Sequence, residues 1–530
     1  MSKALFLKSL LFVLLTLKVS FSSAHTKKDK EITLKNGSII AQSIAPGETH
    51  SYNIHLQNGE ALIAEVVQES ADVVIEIQDD NGVQLSKIDG WGKIENIDLI
   101  AEHNGNFKLL VTLFEEETNS GDYKLQVKNI LSLSENAKRI AKREIQSKQL
   151  YALWEASLQD KNAVDTFLSK NTERHLIEEI EGAKNEMLVT YFYTLETDTD
   201  YVMQSGGPDF LGLRFHQLGA TKLHFASHRV AKDARFNYGF NHFKFHKAGA
   251  NAEVQYRQID HVYDGTVVMP LAPKQSYITK RAAVAKGELK VTSLQSTYLD
   301  EERKITVYTP AGYDTNQKHN LLVVFDGEAY GARPNREAPV PTPTILDNLN
   351  AENKLKPTVA ILVWQMGKRD KDLISATFSN FIAKELLPWA RKNYSISEAS
   401  EDVVLAGSSR GGFAASYIAL NHSNVIGNVL SQSGSYWIKG SADENHWMYP
   451  TGPGKLIEKY KQSPLLPIKF YMDIGRYDAG ASMLGMNREF HSILELKGYQ
   501  LDYREFNGGH SYVNWRGTLS DGLLSLLGKK

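Results

Sequence analysis

Cysteine occurs nowhere in the 530-residue chain, so disulfides, thiolate metal sites and the acylated cysteine of a lipoprotein are all excluded. Stability has to come from packing alone. The chain also lacks any excess of charge: 60 basic against 62 acidic side chains leave a formal net charge of −2, which gives no global attraction to nucleic acid or to an anionic membrane. Recognition by charge must be local. Long hydrophobic runs are scarce too. The one candidate, Ser9 to Leu17 ("SLLFVLLTL"), is shorter than the ~20 residues a spanning helix needs. With Lys3 and Lys8 before it and Ser22-Ser23-Ala24 after it, residues 1–24 read as a cleavable signal peptide. The mature protein is expected to be periplasmic or secreted and not integral to the membrane.

What the chain does have is the balance of a globular protein, 42% apolar and 23% charged, over a length that implies several domains. Residues 30–130 carry short runs with period-two apolar spacing ("ALIAEVVQ", "NGNFKLLVTLF", "GDYKLQVKNI") between turn residues, the pattern of an antiparallel β-sandwich. Residues 134–182 switch to charged, helically spaced sequence and read as a helical connector. Strand patterns return over 187–280, predicting a second all-β sandwich; its His242 and His246 read as solvent-facing strand histidines, with no metal expected. From 287 to 527, apolar strands alternate with amphipathic helices. That argues for an α/β domain with a mostly parallel sheet covered by helices on both faces.

The chemistry concentrates in this last segment. In "VVLAGSSRGGFAASYIAL" (403–420), a β-branched strand runs into Gly407-Ser408-Ser409-Arg410-Gly411 and a helical pattern leaves it. Strand, tight turn and helix around G-x-S-x-G form a nucleophile elbow, with Ser409 the nucleophile and Ser408 its competitor. A serine hydroxyl needs a histidine to take its proton and a carboxylate to orient that histidine, in the chain order Ser, acid, His. "FYMDIGRYDAG" places Asp478 in the loop after a strand, with Asp473 inside that strand as the alternative acid. "FNGGHSYVNW" places His510 after the final strand behind two glycines. Oxyanion donors are expected from the backbone N–H of Arg410 and, after the strand "LLVVFDG", of Gly327 or Glu328.

Together "FDGEAY", "FSNFIAKELLPWARKNY", "VVLAGSSRGGFAASYIAL", "GNVLSQSGSYW" and "FNGGHSYVNWRGTL" resemble the enterochelin (ferric enterobactin) esterases of the esterase D-like α/β hydrolases. The resemblance spans roughly 290–527 and extends more weakly to 187–280, which is similar to that family's N-terminal sandwich; 30–130 loosely resembles pre-peptidase-type accessory sandwiches. It implies hydrolysis of the esters of a catecholate siderophore, with Ser409 as nucleophile, His510 as base and Asp478 where the family has its acid. Some relatives work largely as a Ser-His dyad. It implies no protein-bound cofactor, since iron would arrive on the substrate. Such a substrate is anionic and aromatic, so Lys368, Arg369, Lys371, Arg410, Arg476 and Arg516 become a candidate basic cluster, Arg369 matching an arginine of the family's substrate-side loop. Two other readings stand beside it. One is a carbohydrate esterase removing feruloyl or acetyl groups, for which "DGWGK" around Trp91 is the only hint. The other is a catalytically inactive siderophore- or glycan-binding protein, which the intact set of triad residues disfavours.

Overall fold

Alternation sets the architecture of the N-terminal part. In the strand Ile94–Ile100, every second residue is buried, and in Gly121–Leu131 the buried positions are Gly121, Tyr123, Leu125 and Val127. One face of each strand can therefore be removed from water only against a second sheet. The computed structural model describes residues 32–195, 200–208, 212–246, 255–331, 337–439, 452 and 454–529; the expected signal peptide lies outside them. It divides into two units, Met1–Glu144 and Ile145–Lys530. In the first, a five-stranded sheet faces a four-stranded one over a core that includes Tyr52, Ile54, Val66, Phe107 and Tyr123. The Tyr52 and Tyr123 hydroxyls meet at 2.5 Å in its middle. The helix Leu133–Glu144 closes this unit, and its Arg139 forms a bidentate pair with Asp98 at 2.7 and 2.9 Å.

The stretch expected to be a helical connector is therefore split between the units, and its end is not helical. Helices Lys148–Ser157 and Ala163–Lys170 are present, but His175–Glu179 is a strand that pairs antiparallel with Glu186–Thr194. Its only fully buried residue is Leu176. Two four-stranded sheets, containing Glu186–Thr194 and Arg235–His246 respectively, make the second sandwich around Val189, Tyr191, Phe236, Tyr238 and Phe240. His242 corrects a second expectation. It shares the strand face of Phe236, Tyr238 and Phe240, is 4% exposed, and lies 5.3 Å from the Tyr193 ring. The side chain of His246 lies outside the described residues.

The rest of the second unit is built on an eight-stranded sheet. We number its strands β1 (Glu288–Ser296), β2 (Glu301–Thr309), β3 (Asn320–Val324), β4 (Thr358–Val363), β5 (Val403–Ser408), β6 (Asn428–Gln432), β7 (Lys469–Gly475) and β8 (Gln500–Phe506). Their spatial order is β1-β2-β4-β3-β5-β6-β7-β8, antiparallel only at β1-β2 and β2-β4. β3 to β6 are buried along their whole length, which requires cover on both faces. One core lies around Val323, Leu405, Phe413 and Phe470, and another around Val324, Ala406, Leu430 and Leu519. Parallel register puts the ends of β5 to β8 at one edge: Ser408 pairs with Gln432, Gln432 with Asp473, and Gly475 with Phe506. Loops leaving those ends share that edge, where open parallel sheets place their ligands.

Candidate active site

β5 runs without a connecting loop into the helix α1 (Arg410–Asn421), and Ser409 is the residue between them. Its φ of 58° and ψ of −122° lie outside the regions open to most side chains. Such strain persists where the surroundings over-determine it. Here they do: a Cβ on Gly407 would stand 2.7 Å from the carbonyl carbon of Gly411, and one on Gly412 would stand 2.5 Å from Ser431 Oγ on β6. These two glycines let the strand and helix approach each other and let the helix sit on the sheet. Gly411 is less constrained, its own Cβ finding nothing nearer than 3.6 Å. Ser408 is fully buried at the strand end, while Ser409 is half-buried and its Oγ lies 3.2 Å from Ser435 Oγ.

The candidate base and acid sit on the next loops. His510 Nδ1–H donates to Asp478 Oδ2 across 2.8 Å, because an ionised carboxylate can only accept. That bond leaves Nε2 without the proton. The Asp478 side chain is 1% exposed and its other oxygen accepts the Ala479 N–H at 2.8 Å. Asp473, the alternative acid, is wholly buried within β7, where burial pushes its carboxyl up to about 7.

A buried relay ties the His510 loop to the serine. The Trp515 ring packs edge-on to His510 at 4.8 Å, and its Nε1–H donates to Ser433 Oγ at 3.2 Å. Gln432 next to Ser433 accepts the Ser409 N–H at 2.8 Å through its backbone oxygen. Its side-chain amide donates to Trp515 O at 2.8 Å and accepts from the Tyr330 hydroxyl at 2.7 Å. Sequence reasoning passed over Gln432, Ser433 and Trp515. A buried amide at the end of the strand Asn428–Gln432 was the available signal, since a buried amide must find partners.

The oxyanion candidates flank the elbow. Phe325 N–H extends the β3-β5 pairing to Ala406 O at 3.0 Å, so Asp326-Gly327 runs level with the elbow. Gly327 and Arg410 each open a helical segment, Gly327–Tyr330 and α1, and the first N–H groups of a helical turn have no partner within it. A Cβ on Gly327 would lie 2.8 Å from the Leu362 backbone. The Glu328 carboxylate accepts the Gln365 N–H at 3.0 and 3.1 Å.

The basic cluster is not assembled as expected. Lys368 is paired with Glu301, and Arg369 makes a bidentate pair, 2.8 Å on each arm, with the fully buried Asp326. The Arg410 side chain lies 3.3 Å from Asp370, and Arg476 is 3.2 Å from Glu505. Lys371 is exposed. Among the described residues, Arg516 alone of the candidates at the three triad positions has no carboxylate within ion-pair distance. Its Nε–H donates to Gln275 Oε1 at 2.9 Å.

The second sandwich packs on the loops that carry the acid and the base. Arg235 N–H donates to Asn507 O at 3.0 Å, Asn507 Nδ2–H to Asp233 at 2.7 Å, and the Phe236 ring packs edge-on to Tyr477 at 5.9 Å. A serine at a strand-to-helix elbow and a histidine–carboxylate pair on neighbouring loops are the parts a serine hydrolase would need.

Known proteins agree with that class. Residues 296–526 match the Esterase family model, described as "Putative esterase". The chain is 29% identical over 274 residues to the iron(III) enterobactin esterase of Dickeya dadantii (strain 3937), covering 49% of this chain and 60% of that protein. It is 28% identical over 239 residues to the Escherichia coli (strain K12) enzyme of the same name, covering 44% and 55%. The chain thus spans little more than half the length of these relatives. The crystal structure of the Shigella flexneri enterobactin esterase obtained in the presence of enterobactin superimposes with a TM-score of 0.53 at 20% identity, over 68% of this chain and 97% of that one. That likeness shows a shared fold of mixed sheets and helices.

Proposed function

We propose that the chain is an exported serine esterase of the α/β-hydrolase type that cleaves the ester bonds of a catecholate siderophore, an enterobactin-like trilactone or its linear fragments. The observation that supports the chemistry is the His510–Asp478 bond of 2.8 Å on loops at the same sheet edge as the strained Ser409. His510 Nε2 takes the Ser409 proton as Oγ attacks the ester carbonyl, and Asp478 holds the imidazole and the imidazolium that forms. The N–H of Arg410 and that of Gly327 or Glu328 receive the oxyanion. Collapse breaks the bond to the alkoxy oxygen, which takes the proton from His510 and leaves as the alcohol. Water, deprotonated by His510, then releases the acid and restores Ser409. The siderophore assignment rests on the enterobactin esterase relatives, and export on residues 1–24. No helix among the described residues is long and apolar enough to cross a membrane.

One observation favours a second reading. Trp91 is fully exposed beside a cleft of about 790 Å³ in the first unit, a place where a sugar ring could stack. The carbohydrate esterase therefore stays as the alternative. Chromatography of the products of ferric enterobactin and of a feruloylated oligosaccharide, each incubated with wild type and with Ser409→Ala, separates the two. Serine-dependent release of catechoyl-serine units supports the first reading. Serine-dependent release of ferulate alone supports the second, and turnover that survives Ser409→Ala refutes both.

A further inference from the structure

Arg516 has a neighbour that no motif points to. Arg235, on the second sandwich, sends Nη2–H to Pro273 O at 2.8 Å, and Arg516, on the helix Tyr512–Leu527, sends Nε–H to Gln275 Oε1 at 2.9 Å. The two guanidiniums are thus anchored on one short stretch, 273–275. Both are half-buried, and among the described residues neither has a carboxylate within ion-pair distance. Burial, and then the charge of Arg516, pushes the Arg235 guanidinium below its usual range; burial does the same to Arg516. Two like charges held together and partly out of water cost free energy unless an anion joins them. Each has spent one of its five N–H donors on a neutral oxygen. No other acceptor is found for them among the described residues, which leaves donors for a planar, two-oxygen acceptor.

The pair also has a defined place relative to the chemistry. Arg516 follows Trp515, whose ring packs on His510, and the Arg235 N–H is bonded to Asn507, three residues before His510. Arg516 further lines a cavity of about 780 Å³ with Lys280, Lys286 and Gly331, the residue that follows the oxyanion segment. Glu337 also lines it and is 3.4 Å from Lys280. His510 is the group that gives its proton to the departing alkoxy oxygen, so its side of the site belongs to the leaving alcohol.

We propose that Arg235 and Arg516 form a carboxylate subsite for the leaving group, so that the substrate is a linear ester whose alcohol component is a hydroxy acid with a free carboxyl group. This rests on the serine-esterase reading above and sharpens its substrate. In an O-acylated serine unit the carboxylate is only three bonds from the scissile oxygen, through Cα and Cβ. A carboxylate so close to the reacting oxygen has to be met by a cation carried on the segments next to His510, and Arg516 and Arg235 are attached to those segments. Cleavage then follows the steps already given: the acyl carbon leaves the serine-unit oxygen for Ser409, and the unit departs as alcohol with its carboxylate still bound. Units would be removed one at a time from the carboxyl end.

The test uses the full chain and two probes, an O-acyl-N-aroylserine with a free carboxyl group and its methyl ester. Wild type is expected to prefer the acid by at least ten-fold in kcat/KM. Arg516→Gln and Arg235→Gln should each cut that ratio at least ten-fold, chiefly through KM for the acid, and Arg516→Lys should restore part of it. Calorimetric binding of N-aroylserine and its methyl ester to Ser409→Ala should show the same preference without turnover. Equal losses on both probes, or a wild type that binds the methyl ester as well as the acid, would overturn the subsite while leaving the esterase in place. Hydrolysis of both probes that survives Ser409→Ala would instead overturn the esterase reading itself.

Discussion

Replacing Arg369 with alanine separates two roles for that residue. As a contact for an anionic substrate, its loss would weaken binding and leave the fold alone. The structure commits it elsewhere: Asp326 is 0% exposed and Arg369 24%, and the two share a bidentate pair of 2.8 Å bonds. Gln365 Nε2–H adds a third bond to the same carboxylate at 2.6 Å. Removing the arginine leaves a buried carboxylate with one neutral donor, a loss of about 3–5 kcal/mol. For a unit the size of Ile145–Lys530, with unfolding entropy near 2 cal/mol/K per residue, that corresponds to a fall in Tm of about 4–6 °C. Activity should fall with it on a neutral aryl ester, because Asp326 sits at φ 57° immediately before Gly327. Asp326→Asn in the same chain should recover part of the stability, since an amide tolerates loss of the cation better than a charge does. Scanning calorimetry and steady-state kinetics on neutral and anionic esters read both effects. An Arg369→Ala protein whose Tm moves by less than about 1 °C and whose KM rises for anionic esters alone would refute this reasoning and return Arg369 to the substrate.

Asp478→Asn should lower kcat about 10⁴-fold with little change in KM, because the amide no longer fixes the histidine tautomer; a near-normal rate would mean a Ser-His dyad or another acid. Gly407→Ala should yield little folded protein and Gly411→Ala should be soluble, given approaches of 2.7 and 3.6 Å at the two positions; comparable yields of soluble protein would count against the elbow geometry. Asp473 supplies a pH test. Its carboxyl, raised to about 7 by burial, keeps its proton in the folded chain while the unfolded chain loses one near pH 4, so stability should fall as pH rises from about 4 to 7 and level off above that. The full effect is on the order of 4 kcal/mol, and Asp473→Asn should flatten it; an unchanged slope of Tm between pH 5 and 8 would show that Asp473 is not its source.

The strand-turn-helix around Ser409 and the glycine-led loop of His510 could be read from sequence because backbone geometry wrote them there. Gly407 and Gly412 are places where any Cβ collides, and at Gly508, two residues before His510, a Cβ would stand 2.7 Å from Arg235 O. The misreadings have physical causes too. His175–Glu179 contains Leu176 and Ile177 among glutamates, a spacing that fits a helix or a short strand, and pairing with Glu186–Thr194 decided it. His242 lies two residues beyond Phe240 in a strand with period two, so alternation placed it inside; its polar label was given too much weight.

Cations were the hardest residues to place, because their roles depend on partners distant in sequence. Lys368 finds Glu301, Arg369 finds Asp326 and Arg476 finds Glu505, separated by 67, 43 and 29 positions. A sequence shows the cation but not the carboxylate that neutralises it, so clustered arginines read as a binding surface when most are internal ties. The inverse follows. Once each cation is matched to its partner, the informative ones are those left without a carboxylate among the described residues, and on the segments around His510 Arg516 and Arg235 are two such. Fold energetics alone would favour filling such a place with a neutral side chain, because an uncompensated half-buried guanidinium carries a desolvation cost. Two of them attached to the segments that carry His510 are therefore better explained by a ligand's negative charge than by packing.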